Sequence, residues 1–133
     1  MFFLPVTLTS AGAAALLNLW LAIRVIQIRR AERIATGDGG SPRLLARMRA
    51  QMNFVEYTPF VLILIGLIEL AQGSSLYLWA VAALYLLGRV LHGIGMDGWM
   101  RGREAGAGIT FLIVAGLGLY AAWLGYTGSN PLH

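Results

Sequence analysis

Of the 133 residues in this chain, 58% are hydrophobic and only 12% are charged, about half the ~25% charged fraction that is usual in soluble domains. This balance, with a mean hydropathy of +0.70, excludes an ordinary soluble globule and indicates a membrane protein. Cysteine is absent, which excludes disulfides, thiolate metal sites and a cysteine nucleophile. Ten basic residues, all arginine, stand against six acidic ones. Because these arginines do not share one polar face, nucleic acid is not an expected partner.

Four apolar segments are long enough to cross about 30 Å of hydrocarbon as helices of about 20 residues each. The predicted spans cover residues 4–28, 47–71, 75–96 and 105–125. A polar stretch from Arg24 to Arg49 has turn residues at its centre, 36–42, and predicts a loop. A tight turn is expected over 71–75 and a glycine-rich connection over 93–108. The whole chain, 1–133, is therefore predicted to be one all-α membrane domain, a four-transmembrane-helix bundle.

Arginines are unequally distributed between the two ends of the predicted spans. Nine lie in the first and third connections, and none lies in the second connection or at either terminus. Because basic residues are retained in cytoplasmic loops, the first and third connections are predicted to be cytoplasmic. We therefore expect a multi-pass protein with both termini on the non-cytoplasmic side, in the inner membrane if the host is bacterial.

Four ionisable side chains lie inside apolar spans: Glu56, Glu69, Arg89 and His92. Such a group costs roughly 2.5 to 3.5 kcal/mol at mid-helix, so each calls for a partner or a function. An ion pair between Arg89 and Glu56 would meet that need, as would a functional site. Glu69, at the far interface, is expected to be solvated, and His92 alone is typical of a hydrogen-bonded interior histidine. With one other histidine, at the carboxyl terminus, no metal site is expected.

Helical spacing of 100° per residue groups the polar side chains of the second and third spans into two stripes. The first stripe comprises Arg49, Asn53, Glu56 and Tyr57, and the second comprises Tyr85, Arg89, His92 and Met96. Both stripes lie toward the predicted cytoplasmic end. Each is therefore expected to face protein or water instead of lipid.

Three motifs, in chain order, resemble the MAPEG family, the membrane-associated proteins in eicosanoid and glutathione metabolism. They are Val25 to Arg33, Arg49 to Tyr57 followed by Pro59, and Gly88 to His92. The second motif is most similar to leukotriene-C synthase, and the third resembles prostaglandin E synthase and microsomal glutathione transferase. The resemblance implies a homotrimer with glutathione, as co-substrate, bound between neighbouring subunits and no metal.

Residue by residue, the resemblance implies a glutathione site lined by Arg29, Arg49, Gln51, Asn53, Glu56, Tyr57, His92 and Met96. Arg49 is suited to a carboxylate, through a bidentate fork, and Glu56 to the ammonium group. Arg89 matches a motif arginine that is expected to be structural. Arg103 aligns without gaps with the arginine that stabilises the thiolate, and Arg101 is its rival because the loop length varies.

The function implied by the resemblance is a glutathione-dependent transferase or peroxidase that acts on lipophilic electrophiles entering from the bilayer. Met96 stands where the family usually has tyrosine, and a thioether cannot donate a hydrogen bond to glutathione. This departure favours the first alternative, a non-catalytic lipid-binding or scaffold protein of the same family. A second alternative is a small transporter subunit that uses Arg89 and Glu56 in a polar path.

Overall fold

The computed structural model describes residues 3–128 and contains four α-helices in those residues. These are α1 (Pro5–Glu32), α2 (Pro42–Gln72), α3 (Leu76–Gly95) and α4 (Met100–Thr127). Each helix is long enough and apolar enough to cross a membrane. The predicted all-α bundle of four transmembrane helices is confirmed.

Local sequence explains where α2 and α3 begin. The Ser41 hydroxyl accepts a hydrogen bond from the Leu44 backbone N–H at 3.2 Å, and Ser75 caps α3 through the Leu78 N–H at 3.1 Å. Serine is favoured at this position because its side chain satisfies one of the free N–H groups of the first turn. Gly73, with φ of 81°, ends α2 in a conformation that only glycine adopts readily.

Two predicted connections are wrong in length. The polar stretch from Arg24 to Arg49 is mostly helical, since α1 continues to Glu32 and α2 begins at Pro42. The third connection shrinks from 93–108 to the four residues between Gly95 and Met100. The physical reason is that a fall in hydropathy indicates where a helix leaves the hydrocarbon, not where it ends. Polar helix turns outside the membrane keep their backbone hydrogen bonds.

The helices pack with α2 and α3 in the middle of the bundle. α3 packs most extensively on α4 and α1 on α2, whereas α1 and α4 share no contact among the described residues. The α3–α4 approach depends on glycine, because a Cβ on Gly106 would lie 2.4 Å from the Gly88 carbonyl oxygen. Small residues allow such close backbone approach between membrane helices. This contact sets the position of the polar stripe on α3 against α4.

Glu69 is not solvated, contrary to expectation. It is 2% exposed, and its carboxylate accepts hydrogen bonds from the backbone N–H groups of Val6 and Thr7, both at 2.9 Å. The hydroxyls of Thr7 and Ser74 also donate to it, at 2.8 Å each. Glu69 therefore caps the amino terminus of α1, where Leu4 has no side chain that could accept a hydrogen bond.

Candidate functional site

Arg89 is the centre of a buried polar network that joins three helices. Its side chain, on α3, is 1% exposed. One Nη donates to the Asn53 side-chain oxygen on α2 at 2.6 Å, and the other donates to the Thr110 hydroxyl on α4 at 2.9 Å. The ion pair with Glu56, one of the two alternatives for these charges, is absent from the described residues. Arg89 thus joins α3 to α2 and α4 through neutral partners, and its structural role stays a prediction.

His92 lies one turn beyond Arg89 on the same face of α3. It is 5% exposed, and its Nδ1 has no hydrogen-bond partner among the described residues. Its Cβ is so close to α4 that a methyl group on Gly106 would approach it to 2.7 Å. His92 is consequently enclosed between α3 and α4, and a small molecule could reach it in this chain only if those helices separated.

Arg49 and Glu56 lie on the outer face of α2. Both side chains are exposed, and among residues 3–128 neither forms an ion pair or a side-chain hydrogen bond. Met52 and Phe60, on the same face, are 59% and 63% exposed. Two unpaired charges among exposed apolar side chains on a membrane-spanning helix are costly against lipid. A polar ligand or a neighbouring subunit on this face would remove that cost.

Gln51 and Tyr57 each have a partner within the chain, and Gln51, about 200° around α2 from Arg49, faces α1 instead of the charged face. The Gln51 amide donates to the Asn18 side chain on α1 at 3.3 Å. The Tyr57 ring packs edge-to-face on Phe111 of α4, with 5.6 Å between the ring centroids. Gln51 therefore joins α2 to α1, and Tyr57 joins α2 to α4.

Met96 lies away from the outer face of α2. Its side chain packs against a buried apolar cluster that includes Ala14, Ala50 and Phe54. It also lines a cavity of about 390 Å³ together with Arg47 and Asp97. The thioether therefore serves mainly as packing between α1, α2 and the end of α3, as expected for a flexible apolar side chain.

A cluster of charged side chains lies at the arginine-rich end of the bundle. None of the three sequence motifs includes it. The carboxylate of Asp97, in the α3–α4 turn, forms ion pairs with Arg24 of α1 and with Arg47 of α2, the latter at 3.3 Å. Arg47 also donates to the backbone carbonyl of Arg24 at 2.9 Å, and Arg24 lies 4.9 Å from the Trp20 ring centroid. A lone acid between two arginine-rich stretches was the only sequence signal for this cluster.

Arg29 supports the loop after α1. One Nη donates to the backbone carbonyls of Gly37 at 2.8 Å and Ile34 at 3.3 Å, and the other approaches the Met48 sulfur at 3.7 Å. A guanidinium has five N–H groups. Two of those on Arg29, including Nε–H, therefore have no acceptor among the described residues.

The rival arginines Arg101 and Arg103 both lie in the first turn of α4 and are exposed. At 100° per residue they flank Gly102, which is buried against the Trp99 ring. The backbone of Arg103 lies directly against Gly95, where an added Cβ would meet its nitrogen at 2.2 Å. The side chains of Arg101 and Arg103 therefore start from opposite sides of α4.

The predicted site residues are thus not gathered into one pocket within a single chain: Arg49 and Glu56 lie exposed on the outer face of α2, whereas His92 and Met96 pack between helices. The family model described as "MAPEG family" matches residues 7–123, which includes all three motifs and all four helices. The chain belongs to the MAPEG family. Among similar proteins is the "Inner membrane protein YecN" of Escherichia coli, strains K12 and CFT073. Each of these is 30% identical over 115 residues, covering 85% of this chain and 87% of the relative.

Membership of the MAPEG family agrees with the architecture seen here. The family match and the four apolar helices identify a multi-pass membrane protein. The family includes glutathione transferases and synthases, whereas the name of the similar bacterial protein gives a location and no reaction.

Proposed function

We propose that this protein is a membrane-bound glutathione-dependent transferase or peroxidase acting on lipophilic electrophiles, and that its site lies between subunits of a homotrimer. The observation that carries the proposal is the pair of unpaired charges on the outer face of α2. Arg49 and Glu56 are seven residues apart, which is about 10.5 Å along a helix at 1.5 Å per residue. An extended tripeptide spans about 10 Å, so glutathione could contact both charges.

The charges of Arg49 and Glu56 complement those of glutathione. The tripeptide has two carboxylates and an ammonium group, and arginine binds a carboxylate through two parallel hydrogen bonds. Arg49 would hold one carboxylate, and Glu56 would hold the ammonium. Asn53 lies between them, held by Arg89 at 2.6 Å. Arg89 thereby acts as a positioning residue, because it fixes the Asn53 side chain at the edge of the site.

A neighbouring subunit would supply the rest of the site. Burying the exposed Met52 and Phe60 against another copy would remove apolar surface and enclose the charged face. The partner would offer its α1 and its α4, where the unused N–H groups of Arg29 and the exposed Arg103 are located. Arg103 is the proposed thiol-activating cation, since a nearby positive charge favours thiolate over thiol. The electrophile would enter from the bilayer.

The proposal includes the membrane in which the protein lies and its orientation there. The arginine-rich loops would be cytoplasmic, and both termini would lie on the other side of a bacterial inner membrane. The name of the similar Escherichia coli protein supports that membrane. The closer likeness to leukotriene-C synthase rests on the motif from Arg49 to Tyr57 alone.

The alternative, a non-catalytic lipid-binding or scaffold member of the family, is favoured by one observation. Met96 packs in an apolar cluster and cannot donate the hydrogen bond that a tyrosine would give. A protein of this kind would retain the fold and bind a lipophilic ligand without activating glutathione.

Calorimetric titration of the purified protein with glutathione tests the proposal. Arg49→Ala is expected to weaken binding by about 1.5 to 3 kcal/mol, the range for a hydrogen bond to a charged group. Arg43→Ala is the control, because Arg43 is an exposed arginine on the same helix, pairs with Glu32 at 3.9 Å and lies outside the proposed site. Equal losses in both variants would contradict a site at Arg49. Absence of binding to the wild type at millimolar glutathione would favour the scaffold.

A further inference from the structure

A cavity lies between α2, α3 and α4 at the end of the bundle opposite the arginine-rich loops. It has a volume of about 370 Å³, and its apolar wall is formed by Ile68, Leu78, Val81 and Leu117. Ile68, Leu78 and Leu117 are no more than 8% exposed and belong to one buried apolar cluster. Core packing therefore fixes the inner wall of the cavity, which is suited to apolar groups.

The other side chains that line the cavity are polar and form its rim. They are Gln72, Ser75, Tyr77 and Tyr120, and all four are exposed. Gln72 ends α2 and Ser75 precedes α3, so the rim lies at the turn where the chain leaves one membrane span and enters the next. Tyrosine is enriched at this level of a membrane. A ligand would thus place its apolar part inward and its polar part at the interface.

The rim offers hydrogen-bond donors to a ligand. The side-chain oxygen of Gln72 accepts a hydrogen bond from the Tyr120 hydroxyl at 2.6 Å, and the Tyr120 ring stacks on Trp123 with 6.1 Å between the ring centroids. The two N–H groups of this amide have no acceptor among residues 3–128. The Ser75 hydroxyl accepts from the Leu78 N–H and can still donate. An oxygen atom of a ligand would satisfy these donors.

The chemistry of the cavity favours an uncharged ligand. None of the described side chains that line it is charged. At 1.5 Å per residue, Arg89 lies about 18 Å from Tyr77 along α3, and Arg103 lies about 25 Å from Tyr120 along α4. The Glu69 carboxylate, in the last turn of α2, already accepts four hydrogen bonds. An anionic or cationic head would therefore lose hydration here without gaining an opposite charge.

We propose that this cavity binds a neutral single-chain amphiphile with hydroxyl groups in its head, of the monoacylglycerol class. The chain packs on the buried apolar wall, and an oxygen of the head accepts a hydrogen bond from the Gln72 amide. One chain suits the volume, which is near the lower end of the range of about 300 to 1,000 Å³ for small-molecule sites.

This site is separate from the proposed glutathione site and does not depend on it. None of the residues that line the cavity is a proposed glutathione contact. Gln72 lies about 24 Å beyond Glu56 along α2 at 1.5 Å per residue. The two ligands would therefore occupy opposite ends of the bundle.

Thermal unfolding in nanodiscs tests the proposal, because a ligand that binds the native state raises the unfolding midpoint. The full chain is placed in phosphatidylcholine discs with increasing fractions of monodecanoyl glycerol. The wild-type midpoint is expected to rise and then to level off as the cavity fills. The phosphate ester of monodecanoyl glycerol has the same chain and glycerol with a charged head, and it is expected to give little of that rise.

Gln72→Glu tests the hydrogen bond from the rim. The carboxylate can still accept from the Tyr120 hydroxyl but has no N–H group to donate, so the variant is expected to lose most of the rise with monodecanoyl glycerol. Its midpoint in pure phosphatidylcholine is expected to stay near that of the wild type. Gln27→Glu is the matched control, because Gln27 is an exposed glutamine at the other end of the bundle whose oxygen accepts from Arg47 at 3.3 Å. It is expected to retain the rise.

Val81→Phe tests the cavity itself. Val81 is half-buried in the cavity wall, and a phenyl ring at this position would occupy the space of the acyl chain. This variant is also expected to lose most of the rise. Ala83→Phe adds the same ring at an exposed position about 200° around α3 and is expected to retain it. If either cavity variant does not fold, the other decides the result.

Four outcomes would overturn the proposal. An undiminished rise in Gln72→Glu and Val81→Phe would exclude the cavity, and equal losses in Gln27→Glu and Ala83→Phe would indicate a general effect on the bilayer. Equal stabilisation by the phosphate ester would contradict selection of a neutral head. A lower oligomeric mass of Val81→Phe after chemical cross-linking would identify a second copy of the chain as the occupant. Gln72→Glu is expected to leave glutathione affinity unchanged, which keeps the two sites distinguishable.

Discussion

The carboxylate of Glu69 accepts two hydrogen bonds from Thr7, one from its backbone N–H at 2.9 Å and one from its hydroxyl at 2.8 Å. This contact joins the last turn of α2 to the first turn of α1. Pro5 begins α1 and has no N–H, and the preceding Leu4 offers no cap. A negative charge here also interacts favourably with the positive end of the helix dipole.

Replacing Glu69 with glutamine is expected to destabilise the fold. The amide would turn an NH₂ group toward one of the backbone N–H donors, so at least one hydrogen bond to a charged acceptor is lost. We expect the free energy of unfolding in detergent micelles to fall by about 1.5 to 3 kcal/mol. Glu104→Gln, at an exposed position on α4, is the control and should change it little. Equal stability of Glu69→Gln and the wild type would show that the cap contributes nothing.

The close contact of α3 with α4 predicts opposite effects at two glycines of α4. A Cβ at Gly106 would meet the Gly88 carbonyl oxygen at 2.4 Å, whereas one at Gly108 would meet nothing within 4 Å. Gly106→Ala is therefore expected to lower the free energy of unfolding by about 1 to 3 kcal/mol through overpacking. Gly108→Ala is expected to raise it by up to about 1 kcal/mol through helix propensity. Denaturation of both variants checks this, and a stable Gly106→Ala would mean that the helices are further apart.

The orientation predicted from the arginines can be measured cleanly, because the chain contains no cysteine. Ala35→Cys places a thiol in the loop after α1, and Ala71→Cys places one at the end of α2; both positions are exposed. In intact bacterial cells, a membrane-impermeant maleimide is expected to label Ala71→Cys and to reach Ala35→Cys only after the membrane is opened. The reverse pattern would overturn the predicted orientation.

The two rival arginines of α4 can be separated by the pH at which bound glutathione ionises. A cation near the sulfur stabilises thiolate, and each pKa unit corresponds to about 1.36 kcal/mol. Arg103→Ala is expected to raise the pH midpoint of thiolate formation, followed by ultraviolet absorbance of the complex. Arg101→Ala is expected to change affinity or nothing. A raised midpoint in Arg101→Ala alone would reverse the assignment, and no change in either would remove arginine activation and make His92 the next residue to test.

The sequence by itself determined the fold class and the family. Runs of about 20 apolar residues leave no alternative to membrane helices, because an unpaired backbone amide in hydrocarbon is too costly. The spacing of Arg49, Asn53 and Glu56 on one helix face is also a local property, which follows from 3.6 residues per turn. Such local and short-range patterns can be read without knowing which helices touch.

Only the tertiary structure decided how the polar groups are paired. Arg89 bonds to Asn53 and Thr110, which are 36 and 21 residues away, and Glu69 bonds to Thr7, 62 residues away. The sequence left Glu56 as one possible partner for Arg89, and the interfacial position of Glu69 predicted solvent for it. The actual partners depend on which glycines let α3 approach α4 and on which helix ends meet, and these are properties of packing between segments that are distant in the sequence.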